Sequence, residues 1–314
     1  TLTLSPLKGG ERGIGARPRG SQRMTAVIVQ LLISGVLLGG LYALVAFGLS
    51  LIYGVVRILN FAHGTLLGVA GIAASVIFAK WGLNPILIAA LLVPVFFAFG
   101  YFMYVFLLRP LRSRNAMQFT VGTVLVTVGL LLILSDLAAF LAGPTPKNIP
   151  LPFNAIFIGD VIIGINQLYI LIGIAVMTLL LHLFLTRTWF GRAVRAVTQD
   201  PVGAQICGIR SQAIHASTVG FGAAIVAIAG VLYTLNYPID PYVGFELTVK
   251  AFTIIILGGI GNLIGALLAG IFLGVAESVT GFVWSSEWAP AVSIILLLVI
   301  LVVFPKGVLS RRRT

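Results

Sequence analysis

The sequence predicts an all-α protein, a polytopic bundle of membrane helices with about eight or nine membrane segments, some of them broken or re-entrant. Two observations predict this class. Hydrophobic residues make up 59% of the 314 positions and charged residues 9%, with a mean hydropathy of +1.12, whereas a soluble domain carries about 25% charged residues. Apolar windows of about 20 residues, each long enough to cross a bilayer as a helix, also follow one another along the chain.

The apolar segments are separated by short polar connections or by glycine-rich breaks. Met24 to Val56 carries no charge over 33 residues, which as one straight helix is about 50 Å long. Because this exceeds the apolar core of a bilayer, about 30 Å, we expect a break near Gly48 or Gly54 and a following half-helix. A second break is predicted at "GGIGN", residues 258–262. The predicted segments are 26–48, 61–79, 85–108, 116–142, 168–186, 213–235, 248–260, 262–282 and 288–304.

Residues 1–23 differ from the rest of the chain. They are rich in Gly, Pro and Arg and have no hydrophobic periodicity. They contain neither the apolar core nor the small-residue cleavage site of a signal peptide. We predict a disordered or non-native N-terminal extension at 1–23 and one transmembrane domain at 24–314.

The Lys and Arg residues of the connections predict the orientation, because cytoplasmic loops carry the excess of positive charge. The connections at 109–114 and 187–210 and the C-terminal end hold eleven Lys or Arg residues, against three on the other side. The Arg-rich connections and the C-terminus are therefore predicted to be cytoplasmic. Counting back along the segments places Arg57 to His63 on the cytoplasmic half and Met24 outside. The three opposing residues are Lys80, Lys147 and Lys250.

The stretch "VVRILNFAHGTLLG", residues 55–68, places polar side chains at the junction of the first two segments. Arg57 is the residue type that anchors a cytoplasmic end. For Asn60 and His63 two interpretations stay open: hydrogen bonds between helices at a helix break, or lining of a translocation path. Asn262, at the second break, is a candidate of the same kind.

The longest predicted cytoplasmic loop, "TWFGRAVRAVTQDPVGAQICGIR" at 188–210, carries the signals of a short helix. Asp200 is suited to cap free N–H groups, and Pro201 is tolerated at the first helical position. Gly208 is expected to end the helix with a positive φ. We predict a surface helix over 201–207. Because so short a helix is not stable alone, it is expected to dock on a partner.

Two blocks of this sequence resemble a known family. "GLYALVAFGLSLIYGVVRILNFAHGTLLGVAG" and "GRAVRAVTQDPVGAQICGI" resemble the amino-terminal signature and the cytoplasmic loop of permease subunits of ABC importers for branched-chain amino acids. The resemblance extends from about Met24 to the C-terminus, and Pro201 and Gly203 depart from the pattern. In that family the loop carries the helix that seats in a groove of a separate ATPase. The residues that match the loop pattern are Gly191, Arg192, Ala193, Arg195, Ala196, Asp200, Ala204 and Gly208.

The resemblance implies a permease in the cytoplasmic (inner) membrane of a prokaryote, with several partners. These are a second permease subunit, giving a heterodimer, ATP-binding subunits on the cytoplasmic face, and an extracytoplasmic solute-binding protein that does most of the substrate selection. Leucine, isoleucine and valine are the expected substrates. Urea, short amides or other amino acids are the alternatives within the family, and a stand-alone secondary transporter is the alternative from another class.

Motifs for catalysis and cofactor binding are missing from the sequence. It has no G-x4-GK[ST] motif for ATP hydrolysis. His63, His182 and His215 are too far apart in the sequence to suggest a metal site, and the single Cys207 rules out an internal disulfide. We therefore expect no enzyme activity, no cofactor or metal on this chain, and no binding of nucleic acid.

Asp136 and Glu277 are acidic residues predicted to lie within apolar segments. Both fall toward the outer ends of their segments, where a charged head group can reach water. This favours a structural role for both. A proton-coupled transporter would place carboxylates near the middle of the membrane, and none is predicted there.

Overall fold

The computed structural model describes residues 20–112, 115–151, 155–158 and 161–303. Over these residues the chain forms eleven α-helices and one two-stranded antiparallel hairpin. The helices are α1 (Gly20–Val56), α2 (His63–Trp81), α3 (Pro85–Met103), α4 (Ala116–Ala142), α5 (Ile165–Arg187), α6 (Trp189–Gln199), α7 (Pro201–Ile206), α8 (Ser211–Thr234), α9 (Gly244–Gly258), α10 (Leu263–Val283) and α11 (Ala289–Val303). The hairpin consists of β1 (Ala155–Ile158) and β2 (Val161–Gly164).

Seven of the described helices are long and apolar enough to cross a membrane: α1 to α5, α8 and α10. A π-helical turn, Tyr104–Leu108, extends α3. The predicted segments 248–260 and 288–304 correspond to α9 and α11, whose described parts have 15 residues each. Such a helix is about 22 Å long, less than the apolar core of a bilayer. The predicted membrane helix bundle is confirmed, and the predicted number of eight or nine segments is not.

The first helix is continuous where the sequence predicts a break. Helix α1 runs without interruption from Gly20 to Val56, so the expected break at Gly48 or Gly54 is wrong. Gly48 instead allows close packing, because a Cβ there would lie 2.8 Å from the carbonyl oxygen of Gly222 and 2.9 Å from Nε2 of His63. A glycine at a helix crossing keeps its backbone hydrogen bonds and therefore need not interrupt the helix.

The second predicted break is present. Helix α9 ends at Gly258, and Gly259 and Gly261 follow with positive φ values of 84° and 79°, a conformation that glycine adopts readily. The Asn262 side chain accepts a hydrogen bond from the N–H of Gly265 at 3.1 Å and so caps α10. The N–H of Gly261 donates to Ser50 Oγ at 2.9 Å, which ties this turn to α1.

Helix α1 lies at the centre of the bundle and packs against α8, α9 and α10, while α2 and α3 pack on α8. The crossing of α1 and α10 is close because glycines meet there. A Cβ on Gly270 would lie 2.6 Å from the carbonyl oxygen of Gly39. Helices α4 and α5 lie at the periphery and expose large apolar side chains such as Leu125 and Phe140. Such an outer surface is typical of helices that face lipid.

The connection between α4 and α5 contains the hairpin, which the sequence analysis did not predict. Ala155 pairs with Gly164, and Ile158 pairs with Val161. Apart from these strands and an isolated antiparallel bridge between Lys147 and Ile239, the described chain is helical or irregular. Residues 1–19 of the predicted extension lie outside the described residues, and α1 begins at Gly20. Several charged residues used in the sequence analysis also lie outside them: Arg114, Asp160, Lys306, Arg311, Arg312 and Arg313.

Candidate functional site

The predicted loop helix is present as α7, and its ends are set by local signals. The Asp200 carboxylate accepts hydrogen bonds from the N–H groups of Val202 and Gly203, both at 3.0 Å. Pro201 occupies the first helical position. Gly208 has the predicted positive φ, 81°. The Asp cap, the short helix and the conformation of Gly208 are thus confirmed, while the docking role assigned to them stays a prediction.

The two arginines of the loop bond to the end of α5. Arg195 donates to the carbonyl oxygen of Leu185, and Arg192 donates to that of Arg187 at 3.4 Å. Cations in these positions stabilise the free carbonyls and the dipole of a helix C-terminus. Gly191 lies against the same turn, where a Cβ would overlap the carbonyl oxygen of Leu185. Arg192, Arg195 and Gly191 therefore fix the angle between α5 and α6.

Helix α7 buries one face and exposes the other. Ala204 is 5% exposed and belongs to the apolar core, so it faces the bundle and is not free to contact a partner. Ala193 is also buried, and Ala196 is half-buried. The exposed apolar side chains of α7 are Val202 and Ile206, at 67% and 83% exposure. The sequence analysis did not single them out, although their spacing of four residues is the signal of a shared helix face.

We call the end of the bundle that carries α6 and α7 the α7 end. The last residues of α1, the π-helical turn after α3 and the start of α8 meet there in a small apolar cluster that includes Ile52, Tyr104 and Val219. A cleft of about 550 Å³ separates this turn from the α7–α8 junction, and its lining includes Arg109 and Arg210.

The polar stretch after α1 is buried deep in the bundle. Arg57 ends α1 in a left-handed conformation, with φ of 59°. The chain then turns back along α1, because His63 Nε2 donates to the carbonyl oxygen of Val45 at 3.2 Å. Val45 precedes Val56 by eleven residues, so α2 begins about 16 Å inside the end of α1. Asn60 and His63 both have 0% exposure.

The first turn of α2 obtains its hydrogen-bond partners from two sources. Asn60 Oδ1 accepts from the N–H of Ala62 at 3.1 Å, and Thr248 Oγ1, on α9, accepts from the N–H of Gly64 at 2.9 Å. Non-helical backbone at membrane depth requires such partners within the protein. Among the described residues, Asn60 Nδ2 and His63 Nδ1 have no partner. Asn60 and His63 therefore lie together at the helix break between α1 and α2. Asn262 does not lie with them, since it caps α10 at an exposed turn.

A buried ionic cluster, which we call the Lys250 cluster, joins α1, α9 and α10. Lys250 Nζ donates to Glu277 Oε2 at 3.0 Å, to Glu246 Oε1 at 2.8 Å and to the Tyr42 hydroxyl at 2.8 Å. The Tyr42 hydroxyl donates in turn to Glu277 Oε2 at 2.9 Å. Lys250 and Glu277 are 3% and 2% exposed. Charged groups buried in a membrane bundle are default candidates for function.

The Lys250 cluster corrects two predictions. Lys250 was assigned to an outer connection, yet it lies inside α9. Glu277 was expected near an outer end with access to water, yet it is buried beside Tyr42, which lies at the midpoint of the membrane span Val27–Val56. Both errors have one cause: charge alone marks a residue as peripheral, and the partner that permits burial is distant in sequence. Asp136 is exposed and accepts a hydrogen bond from the Tyr242 hydroxyl at 3.3 Å.

The described residues contain no group of three or more His, Cys, Asp or Glu side chains that could hold a metal ion. His215 lies near the α7 end, where its Nδ1 is 3.2 Å from the Tyr104 hydroxyl and 3.3 Å from an Arg112 nitrogen. His63 and His215 therefore each have protein partners of their own.

Comparison with known proteins gives matches over nearly the whole chain. Residues 31–301 match the family described as branched-chain amino acid transport system, permease component. The high-affinity branched-chain amino acid transport system permease protein BraD of Pseudomonas aeruginosa is 34% identical, with 90% of this chain and 96% of the relative covered. The corresponding LivH protein of Escherichia coli is 32% identical over the same shares.

Comparison with solved structures also finds a similar fold. The PsaBC structure from Streptococcus pneumoniae, in complex with a Fab, aligns with a TM-score of 0.52 over 91% of this chain and 96% of that chain. The sequence identity is 11%, so the likeness concerns the fold alone.

Proposed function

The chain belongs to the family of branched-chain amino acid transport permeases, and from this membership we propose that it is the membrane-spanning subunit of an ABC importer for leucine, isoleucine and valine. The main support is the extent of the match. Relatives with that name align over 96% of their own length. Nearly every part of those proteins therefore has a counterpart in this chain.

We propose that α7 couples the permease to a separate ATPase. Val202 and Ile206 support this, because they expose an apolar face in the connection between the membrane helices α5 and α8. Exposed apolar patches rimmed by polar residues are typical of protein interaction sites. Asp200 and Gly208 set the two ends of α7, and Arg192 and Arg195 hold α6 on the end of α5. These residues therefore position the contact and do not form it.

The remaining partners follow from the same family. A second permease subunit, forming a heterodimer, and an extracytoplasmic solute-binding protein would complete the importer in the inner membrane of a prokaryote. The Arg-rich α7 end would then face the cytoplasm, in agreement with the distribution of positive charge. For Asn60 and His63, the absence of any exposed surface favours a role in helix packing over lining of the path.

Uptake by the reconstituted complex tests the proposed substrate. Proteoliposomes that contain the complete complex and ATP inside are expected to accumulate leucine, isoleucine and valine when the loaded binding protein is outside. Urea is the matched competitor. If the binding protein binds urea tightly but not leucine, urea would be the substrate instead. Uptake by this chain alone, driven by a proton or sodium gradient, would contradict the ABC mechanism.

The ATPase contact is tested at Ile206. Ile206→Asp places a charge on the exposed face of α7 and is expected to lower transport-coupled ATP hydrolysis about tenfold or more, as at a central interface residue. Gln199→Asp, on the exposed surface of α6, is the matched control and should keep normal coupling. Ala204→Trp is expected to lower thermal stability as well, because Ala204 is buried. Normal transport-coupled ATP hydrolysis in Ile206→Asp would show that α7 is not the docking helix.

A further inference from the structure

We propose that the face of α9 bearing Glu246 lines the translocation path, and that Glu246 and Lys250 bind the ammonium and carboxylate groups of the transported amino acid. The substrate class rests on the proposed function. The site itself rests on the depth, exposure and charge of the Lys250 cluster.

The Glu246 side chain is partly exposed at the depth of the acyl chains of a bilayer, which do not stabilise a charged group. Its ion-pair partner Lys250 bonds to Tyr42, at the midpoint of the first membrane span. Glu246 lies one helical turn from Lys250, about 6 Å along the axis, and 43% of its side chain is exposed. Charged groups within a membrane face a bundle interior or a water-filled cavity. This face of α9 therefore borders water or a polar partner in the assembled transporter.

The cluster carries more negative than positive charge. Its two carboxylates share the single ammonium of Lys250, whose three N–H bonds are all used. Glu277 Oε1 is buried and has no hydrogen-bond partner among the described residues. The remaining negative charge attracts a further cation, and Glu246 is the member that such a cation can reach.

An amino acid head group can enter between Glu246 and Lys250 without leaving a charge unpaired. In the structure, Lys250 Nζ and Glu246 Oε1 form one ion pair at 2.8 Å. With the substrate inserted, its ammonium bonds to Glu246, and its carboxylate accepts the N–H that Glu246 released. One ion pair is replaced by two. Lys250 keeps its bonds to Glu277 and Tyr42, which hold it in position throughout.

The surroundings of Glu246 also suit an apolar side chain. Tyr242 and Phe245, close to it in the sequence, are 57% and 55% exposed. Contact with such surfaces removes apolar area of a branched aliphatic side chain from water. The site thus combines one anionic and one cationic contact, with exposed aromatic surface on neighbouring residues of the chain.

Glu246→Gln tests the site without disturbing the buried pair, because Lys250 keeps Glu277 and Tyr42. We expect leucine uptake by the complete complex to fall about tenfold or more, since a charge-assisted contact is lost. Complex assembly and thermal stability should not change. Glu287→Gln, which removes an exposed carboxylate between α10 and α11, is the control and should stay within about twofold. Glu246→Asp should recover part of the uptake.

Saturation-transfer NMR with the purified complex gives a readout that a merely structural role would not change. Transfer to leucine is expected with the native complex and not with Glu246→Gln. Leucine amide, which lacks the carboxylate, and 4-methyl-2-hydroxypentanoate, which lacks the ammonium, should give weaker transfer. Equal transfer or uptake in Glu246→Gln, no transfer to leucine with the native complex, or a loss of thermal stability in the variant would each overturn the site. Failure of the native complex to import leucine would instead contradict the proposed function.

Discussion

Lys250 is a buried cation that depends on the groups around it. Taking an ammonium and a carboxylate out of water is costly, and their attraction repays this only when good geometry and further hydrogen bonds are present. Lys250 meets these conditions, since Tyr42, Glu246 and Glu277 all accept its hydrogen bonds, and Tyr42 also donates to Glu277 Oε2. The Lys250 Nζ also lies 4.5 Å from the centre of the Tyr42 ring, which adds a cation–π attraction. The cluster therefore links α1, α9 and α10 through Tyr42, Lys250 and Glu277.

Replacing only Lys250 should lower the stability of the protein more than replacing both Lys250 and Glu277. Lys250→Met leaves Glu277 without its cation and is expected to destabilise the protein by about 3–5 kcal/mol. The double variant Lys250→Met, Glu277→Gln leaves no buried charge and should recover much of that loss. Unfolding temperatures of the detergent-solubilised variants measure both effects, with Lys80→Met at the exposed end of α2 as the control. Additive losses in the double variant would contradict a direct pair.

At the scale of single helices, two glycines of α1 differ in what surrounds them. A Cβ at Gly48 would press on Gly222 and His63, whereas at Gly54 the nearest atom, from Ile260, is 3.9 Å away. Both positions are helical, so alanine improves the intrinsic helix propensity at each by about 0.8–1 kcal/mol. The difference between the two substitutions therefore isolates the packing contribution.

We expect Gly54→Ala to leave the unfolding temperature unchanged or raised, and Gly48→Ala to lower it. Overpacking at a tight contact costs about 1–3 kcal/mol, which exceeds the gain in helix propensity. The measurement is thermal unfolding of both variants in the same detergent. Equal effects would mean that α1 and α8 can move apart without cost at this crossing.

The elements differ in how far the sequence predicts them, and the reason is the distance of the decisive partner. Helix α7 is predicted because Asp200, Pro201 and Gly208 act on their own turn. The continuity of α1 is missed because Gly48 is explained only by Gly222, on another helix. The turn at 258–262 is predicted from its own glycines. Glu277 and Lys250 are missed as a buried pair because they lie on different helices, and Tyr42, which bonds to both, is more than 200 positions away.

On the scale of the whole molecule, the two ends of the bundle have different chemistry. The α7 end carries Arg109, Arg192, Arg195 and Arg210 together with the exposed face of α7. The opposite half of the bundle carries Asp136 and Asp240, which both bond to Tyr242, and, deeper in the membrane, Glu246 in the first turn of α9. This polarity suits an importer that receives an amino acid at one end and energy from an ATPase at the other. Both the proposed ATPase contact and the proposed amino acid site therefore depend on the orientation of the chain in the membrane.

Labelling of single cysteines tests that orientation. The native Cys207 is exposed at the α7 end, so a membrane-impermeant maleimide should label it in inside-out vesicles and not in right-side-out ones. In a Cys207→Ser background, Trp81→Cys should show the reverse, because α2 begins beside Val45 and its exposed C-terminal end points away from the α7 end. Asn60→Cys, at a wholly buried position, should stay unlabelled in both. Between Trp81 and Cys207 lie α3, α4 and α5, an odd number of crossings. Labelling of both positions from one side would therefore contradict the topology itself, whereas exchange of the two sides would reverse the orientation and place the proposed ATPase contact outside the cell.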